Sequence, residues 1–522
     1  MNPAPAYFQP APAEPQRLTV DLCVYGCASG AIISAIEAAE RGLTVALVAP
    51  ARHLGGMTSG GLGMTDIGNK SAIGGKAREF YQRVGLHYGA PVEWRFEPSV
   101  AARVLDDWLT ATTVRVCRAQ YLDTVIKEDG LLRAIRTVSG LEVTARMFID
   151  ATYEGDLLAR AGVSHRIGRE ANREFGETLN GQHICGGHQF LQPVDPYITP
   201  GAPGSGLLPG IEPVNDYQHG GGDHRVQAYN FRLCLTRRAD LRLPFPKPAA
   251  YDAAWYELLK RHLATGWREV FDKFDPIRNG KTDTNNHGAV STDFIGQNHA
   301  YPAAAYAQRE RIFQAHVTWQ QGLLWCLAND PAIPAAVREP MRAWGLCRDE
   351  FTDTGGWPHT LYVREARRLL GETIMTEHHC TGAVTAARAI GLASYGMDSH
   401  HCRRLVVAGR VQNEGDIQAS LQRPYPIPYE ALLPRRAECR NLLVTCCLSA
   451  THIAFGSIRM EPVFMVLGQS AAVAVALALE EKIALHDVNY DTLKAELQRQ
   501  RQVLDPAQTE PQTGVHAELA AP

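Results

Sequence analysis

Six consecutive residues, Gly26-Cys27-Ala28-Ser29-Gly30-Ala31, carry the first recognisable chemistry. Their small size and spacing follow a relaxed G-x-G-x-x-G/A pattern with alanine at the middle position. Gly26 lets a strand turn sharply, Ala28 and Gly30 let backbone approach a pyrophosphate, and Ala31 lets a helix sit close to a sheet. The helix that opens here, with Ser29 in its first turn, aims free N–H groups and a positive dipole end at those phosphates. The chemistry implied is dinucleotide binding.

A second group follows. Residues 53–63, HLGGMTSGGLG, place Gly55, Gly56, Gly60, Gly61 and Gly63 among the apolar Leu54, Met57 and Leu62. So many glycines suit a backbone that passes very close to a flat ligand, and the apolar residues anchor it. Gly55, Gly56, Met57 and Thr58 are therefore expected to line the cofactor. One position departs from the pattern. The residue ending the second strand, normally an acid that bonds a ribose, is Ala49, followed by Pro50. Ribose recognition is left to Arg52 or a backbone group.

These residues need a frame. Residues 21–25 and 44–49 read as buried strands on either side of an amphipathic helix, the order of a dinucleotide-binding unit. Further strands are expected near 114–118, 122–126, 132–138 and 142–149, and another at 442–446. After it, Ser449, Thr451, His452, Ser457 and Arg459 cluster polar groups in a connection. Pro462 stands at a first-turn position that proline tolerates, and residues 463–479 are apolar or small, a helix buried on most sides. That run approaches the length of a membrane span, but its alanine-rich make-up favours a core helix.

With these segments in view, the chain resembles the bacterial FAD-dependent oxidoreductases of two-dinucleotide-binding-domain flavoprotein fold, whose FAD domain is like that of glutathione reductase and fumarate reductase. FIDATYEGDLLARAGV, TNNHGAVSTDFIGQNHAYP, LYVREARRLLGETIMTEHHCTG and NLLVTCCLSATHIAFGSIRMEPVFMVLGQSAAVAVALALE carry the match over roughly residues 18–503. The resemblance implies an α/β fold: a Rossmann-like FAD/NAD(P)-binding domain of parallel sheet, β-meander and helices, with an inserted α+β substrate domain. It implies FAD beneath which the glycine loop runs. It also implies contacts from Ala151 and Thr152, where the chain re-enters the cofactor site, and a helix starting at Pro462 that faces the flavin N1/C2 region. Tyr153 is a further contact candidate. A histidine attaches FAD covalently in some relatives; Met57 is a poor candidate, so non-covalent FAD is expected.

The expected division is a flexible tail at 1–17, an FAD-binding domain at 18–165 and 396–503, a substrate or cap domain at 166–395, and a disordered tail at 504–522. Helices are expected near 251–263, 301–327 and 490–501. A chain of 522 residues, 45% hydrophobic and 20% charged, has ample material for more than one core. Its 52 Lys and Arg balance 55 Asp and Glu, and no block of like charge points to nucleic acid or an anionic membrane. The N-terminus lacks a basic region followed by an apolar core, and the twelve cysteines show no regular spacing. Reduced thiols in a cytoplasmic protein are expected. Two clusters, His378-His379-Cys380 and His400-His401-Cys402, are rich in ligand types, but adjacent ligands chelate one tetrahedral ion poorly, and no metal is expected.

One dinucleotide fingerprint and no paired redox cysteines argue against a built-in NAD(P)H or disulfide reductase. The reaction expected is hydride transfer to flavin N5 from a C–OH or C–N bond of a polar small molecule such as a sugar derivative, hydroxy acid or amine. An external acceptor, oxygen, a quinone or another, takes the electrons. Two alternatives stay open: reduction of an activated C=C bond, and an electron-transfer or scaffold flavin subunit. A homo-oligomer is compatible with the sequence, which does not fix the assembly.

His452 is the candidate base, with a backbone-bonded structural histidine as the alternative. Arg459 is placed to orient an anionic or hydroxylated substrate, or else to pair with Glu461 or the FAD phosphates. His299, Tyr301, Asn285, Asn286 and His287 are substrate-side candidates. Arg364, Arg367 and Arg368 with Glu365 lie at helical spacing and read as an ion-pair network.

Overall fold

The apolar run that ends strand β1 (Gln16–Tyr25) is wholly buried at Leu22, Cys23, Val24 and Tyr25 in the computed structural model, which describes residues 5–213 and 216–511. Burial on both faces is what a central parallel strand requires. The strands β2 (Val45–Val48), β3 (Arg115–Cys117), β4 (Leu122–Glu128), β5 (Leu131–Thr137) and β6 (Leu141–Asp150) follow, and they assemble in the order β3-β2-β1-β6-β5-β4. From β3 to β6 all neighbours are parallel. The meander β4-β5-β6 then runs antiparallel. On one edge of β6, residues 142–144 pair with β5 while Phe148, Ile149 and Asp150 pair in parallel with the late strand Leu442–Val444. The chain thus brings its C-terminal part back into the first sheet, beside the end of β6 and one strand away from the end of β1.

The helix α1 (Ser29–Glu40) packs on the long helix Glu461–Glu481 through small residues. A Cβ added to Gly468 would stand 2.3 Å from Gly30 O, so the backbones touch where both residues lack a side chain. Ser34 Oγ, at that crossing, bonds Gly468 O at 3.0 Å. Among the described residues, Glu461–Glu481 is the one helix long and apolar enough to cross a membrane, and 94% of its apolar window is buried inside the protein.

The inserted part has its own antiparallel sheet of Phe274–Pro276, Lys281–Thr284, Leu233–Thr236, Gly345–Cys347 and Arg242–Leu243, in that order. The 24-residue helix Tyr306–Asn329 buries Phe313, Trp319, Leu323 and Leu324 in a second core with Phe231, Leu233 and Leu235. The fold is the expected α/β arrangement, a Rossmann-like domain with an insert.

The cores do not divide where the sequence suggested. Met375, Cys380, Ile390 and Ala393, assigned to the cap, lie in the first core, and Val411, assigned to the FAD domain, lies in the second. The expected loose N-terminal tail is corrected too. Tyr7 sits edge-on to Tyr121 and Tyr301, Phe8 stacks on Tyr306, and Ala11 N–H bonds Ala119 O at 2.9 Å. At the other end Leu504 is buried and Glu510 O accepts from Asn69 Nδ2 at 2.8 Å. Residues 512–522 of the expected disordered tail lie outside the described residues.

Candidate cofactor and substrate site

The register of β1 with β6 places Tyr25 beside Asp150, so the turn after β1 abuts the turn after β6. Gly26 is at φ +148°, and a Cβ there would meet Ala151 O at 2.3 Å. Only glycine fits that approach. Asp150 builds the facing turn. Its carboxylate accepts Thr152 N–H at 3.0 Å, Thr152 Oγ1 at 2.7 Å and Leu158 N–H at 2.8 Å, while burial pushes its carboxyl up to about 6. Ala151 and Thr152 are thereby fixed against the glycine turn.

The glycine loop lies along the same turn. Gly55 N–H bonds Cys27 O at 2.8 Å, and Ala28 and Gly55 form a parallel bridge. Helix α1 starts buried at Ser29, Gly30 and Ala31, without a side-chain cap and without an acidic residue in its first turn. A buried, uncapped helix start is a site for an anion. At β2's end, Ala49 is buried with its N–H on Cys117 O at 2.8 Å, so no side chain reaches a ribose from there.

The far end of the chain closes the site. Pro462 stands in the first turn of Glu461–Glu481. Glu461 Oε2 accepts Ser29 Oγ at 2.5 Å and Thr58 Oγ1 at 2.7 Å, Oε1 accepts Tyr153 OH, and Tyr153 OH accepts Met57 N–H at 2.9 Å. Burial drives the Glu461 carboxyl upward against these hydrogen bonds. Ser29, Met57, Thr58, Tyr153 and the start of the Pro462 helix are therefore one hydrogen-bonded group. Gly26, Ala28, Gly30, Ala31, Gly55, Gly56, Ala151 and Thr152 form the backbone around it. In the sequence Glu461 stands out only as a partner for Arg459. An acid set directly before Pro462, in an otherwise apolar helix start, was the available signal.

Both ring nitrogens of His452 have partners inside the protein. The residue opens the short helix His452–Ile458, is 1% exposed, and has Nδ1 2.6 Å from Glu365 Oε2 and Nε2 3.0 Å from Ser399 Oγ. Its N–H bonds Glu170 Oε2 at 2.8 Å, and Arg368 joins Glu170 and Glu365 at 2.7 and 2.8 Å. The expected ion-pair network of Glu365 and Arg368 is present, but on extended backbone, because Arg367–Leu369 is a strand paired with His165–Ile167. Arg367 goes instead to Asp156 at 2.9 Å.

Arg459, at the end of that short helix, donates Nη1 to Tyr362 OH at 2.9 Å and Nη2 to Asp398 Oδ2 at 2.8 Å, not to Glu461. Together with Tyr153, Tyr362, Val363, Arg364, Cys446, Phe455, Glu461 and Phe464 it lines a cavity at the start of the long helix. His299, Tyr301, Asn285, Asn286 and His287 do not line it. His299 Nδ1 accepts Val226 N–H at 3.4 Å and burial pushes its imidazole down to about 4. Tyr301 OH bonds Glu154 at 3.1 Å, and His287 lies 3.2 Å from Glu269.

The two histidine-cysteine clusters have other employment. His379 Nδ1 accepts Thr376 N–H at 3.1 Å in a capping box, and His378 Nε2 faces Phe175 O at 3.2 Å. His400 lies between Asp293 (2.8 Å) and Asp398 (3.5 Å), beside the cavity-lining Arg459, and His401 Nε2 faces His188 O at 3.2 Å.

A glycine turn at the end of a parallel strand, a glycine loop and a buried helix start that meet at one place form the arrangement of a dinucleotide-binding site. The chain belongs to the FAD dependent oxidoreductase family, whose sequence model matches residues 21–497. FAD is its cofactor. No curated protein matches it in sequence. Among solved structures it is similar to L-proline dehydrogenase from P. horikoshii, at 14% identity over 30% of this chain and 59% of that one, with a TM-score of 0.25. It is also similar to T. acidophilum thioredoxin reductase, at 17% identity over 31% and 41%, with a TM-score of 0.19. A third is the aromatic hydroxylase CabE, at 16% identity over 29% and 35%, with a TM-score of 0.23. The chain thus spans between 35% and 59% of the length of these structures.

Proposed function

We propose that the protein is a dehydrogenase or oxidase that removes a hydride from a C–OH or C–N carbon of a polar small molecule. The observation carrying this reading is the cavity at the start of Glu461–Glu481, where an apolar wall of Val363, Phe455 and Phe464 faces the polar Tyr362, Arg364 and Arg459. With a volume of about 10 Å³ the cavity takes one small polar group, and this mixture orients that group and excludes bulk water. FAD supplies the two-electron acceptor. The long helix, starting at the cavity, presents its positive end to developing negative charge.

The proton leaving the substrate O–H or N–H needs an acceptor within reach. Burial raises the phenols of Tyr153 and Tyr362 and the thiol of Cys446, so none of them accepts a proton at neutral pH. Glu461 is the remaining titratable acid on the cavity wall; burial raises it as well, but from an ordinary value far below neutrality, and we assign it that role, with Ser29, Thr58 and Tyr153 holding the carboxylate. The single fingerprint supports an external acceptor, oxygen or a quinone, for the electrons. Met57, buried with its N–H on Tyr153, supports FAD held without a covalent bond.

Anaerobic mixing with a panel of hydroxy acids, sugar derivatives and amines tests the reading. It requires that at least one donor bleach the visible flavin absorbance. Turnover of enoates by chemically reduced protein, with no donor oxidised, replaces it with C=C reduction. Acid precipitation should leave all flavin in the supernatant.

A further inference from the structure

Two buried guanidiniums share one aromatic ring. Arg364 and Arg459 lie with Cζ 4.7 and 5.7 Å from the centre of the Tyr362 ring, and all three residues line the cavity at the start of the long helix. Arg364 is 1% exposed and Arg459 3%.

Their donors are only partly used. Arg459 donates to Tyr362 OH and to Asp398. Arg364 Nη1 lies 2.9 Å from Asp293 Oδ1 and also donates to Ala228 O. Arg364 Nε and Nη2 and Arg459 Nε have no hydrogen-bond partner among the described residues. Charged N–H groups taken out of water and left unpaired are costly, and they concentrate where a ligand completes them.

The neighbouring anions are ion-paired, with Asp293 Oδ1 accepting no hydrogen bond among the described residues. Asp293 is shared between Arg364 and His400, and Asp398 between Arg459 and His400. Burial and Arg364 oppose protonation of His400, yet Asp293 and Asp398 hold its imidazole above the ordinary histidine range. Arg232, next in line, is paired with Asp283 at 2.7 Å. Glu461 turns its oxygens to Ser29, Thr58 and Tyr153. Asp66 stands near Arg232 and Arg459 as a further carboxylate, so what these guanidiniums lack among the described residues is not counter-charge but hydrogen-bond partners for Arg364 Nε and Nη2 and Arg459 Nε. Burial dominates at Arg364 and, with Arg459 and Arg232 near, outweighs Asp293, so its guanidinium is held below its ordinary value.

We infer that the substrate carries a carboxylate, which Arg364 and Arg459 hold across the face of Tyr362. A guanidinium presents parallel N–H groups that match the two oxygens of a carboxylate. The inference rests on the dehydrogenase reading above and narrows its substrates to hydroxy acids and amino acids. Sugars and simple amines lack the anion.

The test titrates FAD-loaded protein with pyruvate, succinate and benzoate, each against its own amide, following the visible flavin absorbance. At least one acid should perturb the band saturably while its amide does not at about tenfold higher concentration. In Arg364→Gln the acid should bind about tenfold to a hundredfold more weakly, with FAD retained. Arg364→Lys should fall between. Acids and amides acting alike, or neither acting, overturns the inference. So does unchanged acid binding in Arg364→Gln. Because that variant strands Asp293 and can fail to fold, the acid-against-amide comparison on the wild type decides alone in that case. The two readings fail separately. Neutral donors that bleach the flavin without any acid binding retire the carboxylate and keep the dehydrogenase. Acid binding that depends on Arg364, without bleaching by any donor, does the reverse.

Discussion

His452 Nδ1 lies 2.6 Å from Glu365 Oε2, and the other ring nitrogen faces Ser399 Oγ, so the imidazole is spent inside the protein. Burial opposes ionisation of Glu365, but His452 and Arg368 still hold its carboxyl below the ordinary glutamate value. The pair is a clasp joining the short helix before the FAD segment to the Arg368 strand. His452→Gln should therefore lower unfolding stability by about 1–3 kcal/mol, the cost of weakening a buried charge-assisted bond. Flavin reduction in the folded variant should stay within about threefold of wild type. A fall of about a hundredfold or more, the scale of a lost general base, would return His452 to the chemistry.

Glu461 makes the opposite prediction. Burial, opposed by hydrogen bonds from Ser29, Tyr153 and Thr58, raises its carboxyl above the ordinary glutamate value in the folded protein. Between that value and the raised one, the folded protein binds more protons than the unfolded chain. Stability contributed by Glu461 is therefore full at low pH and falls as pH rises through this window. Glu461→Gln should remove that component, seen as a flatter difference curve against wild type in thermal melts across the acid range. The variant should keep FAD, because an amide still serves the Ser29, Thr58 and Tyr153 hydroxyls. It should reduce its flavin about a hundredfold more slowly. Normal reduction rates would remove Glu461 as proton acceptor.

Gly26→Ala tests the cofactor seat. The new Cβ would meet backbone, Ala151 O at 2.3 Å, and the φ of +148° is one that L side chains rarely adopt. Strands β1 and β6 must separate at their ends or the turn must rearrange. The purified variant should be colourless, with a ratio of flavin to protein absorbance below about a tenth of wild type, and less stable by about 2 kcal/mol or more. Full flavin content would show that the turn does not seat the cofactor.

The parts of this site that were legible in the sequence are the local ones. Gly26 to Ala31 and the Pro462 helix announce themselves because turns and helix starts are set by small residues and proline at fixed offsets. What was illegible depends on contacts that no spacing encodes. Glu461 meets Ser29 across 432 positions and Thr58 across 403. Arg364 reads as one more charge in a run of arginines until Tyr362, Asp293 and Arg459 are folded around it. His400 looks like a metal ligand in sequence because its neighbours there are His401 and Cys402. In space its neighbours are two aspartates.

The N-terminal segment departs from its composition for a similar reason. Its prolines and alanines suggested a mobile tail, whereas two aromatic residues dominate its behaviour. Tyr7 packs on Tyr121, from the first domain, and on Tyr301 and Phe313 of the insert. Its OH accepts from Arg309 Nη1 at 3.1 Å, while Phe8 N–H bonds Glu310 Oε2 at 2.6 Å. The segment thus straps the insert to the FAD sheet. Arg309 also holds Asp156 at 2.6 Å, on the short helix that follows the Ala151-Thr152 turn, so the strap reaches the cofactor side of the protein. Removing residues 1–10 strips the aromatic cover from Tyr121 and Tyr306 and leaves Glu310 without its backbone partner. Stability should fall by about 2–4 kcal/mol, the scale of losing two partly buried aromatic side chains. Tyr7→Ala alone should account for about half of that. The truncated protein should also lose FAD faster on dilution, because the turn anchored through Asp156 is loosened. Melting curves and flavin release indistinguishable from full-length protein would mean that the strap contributes nothing in solution.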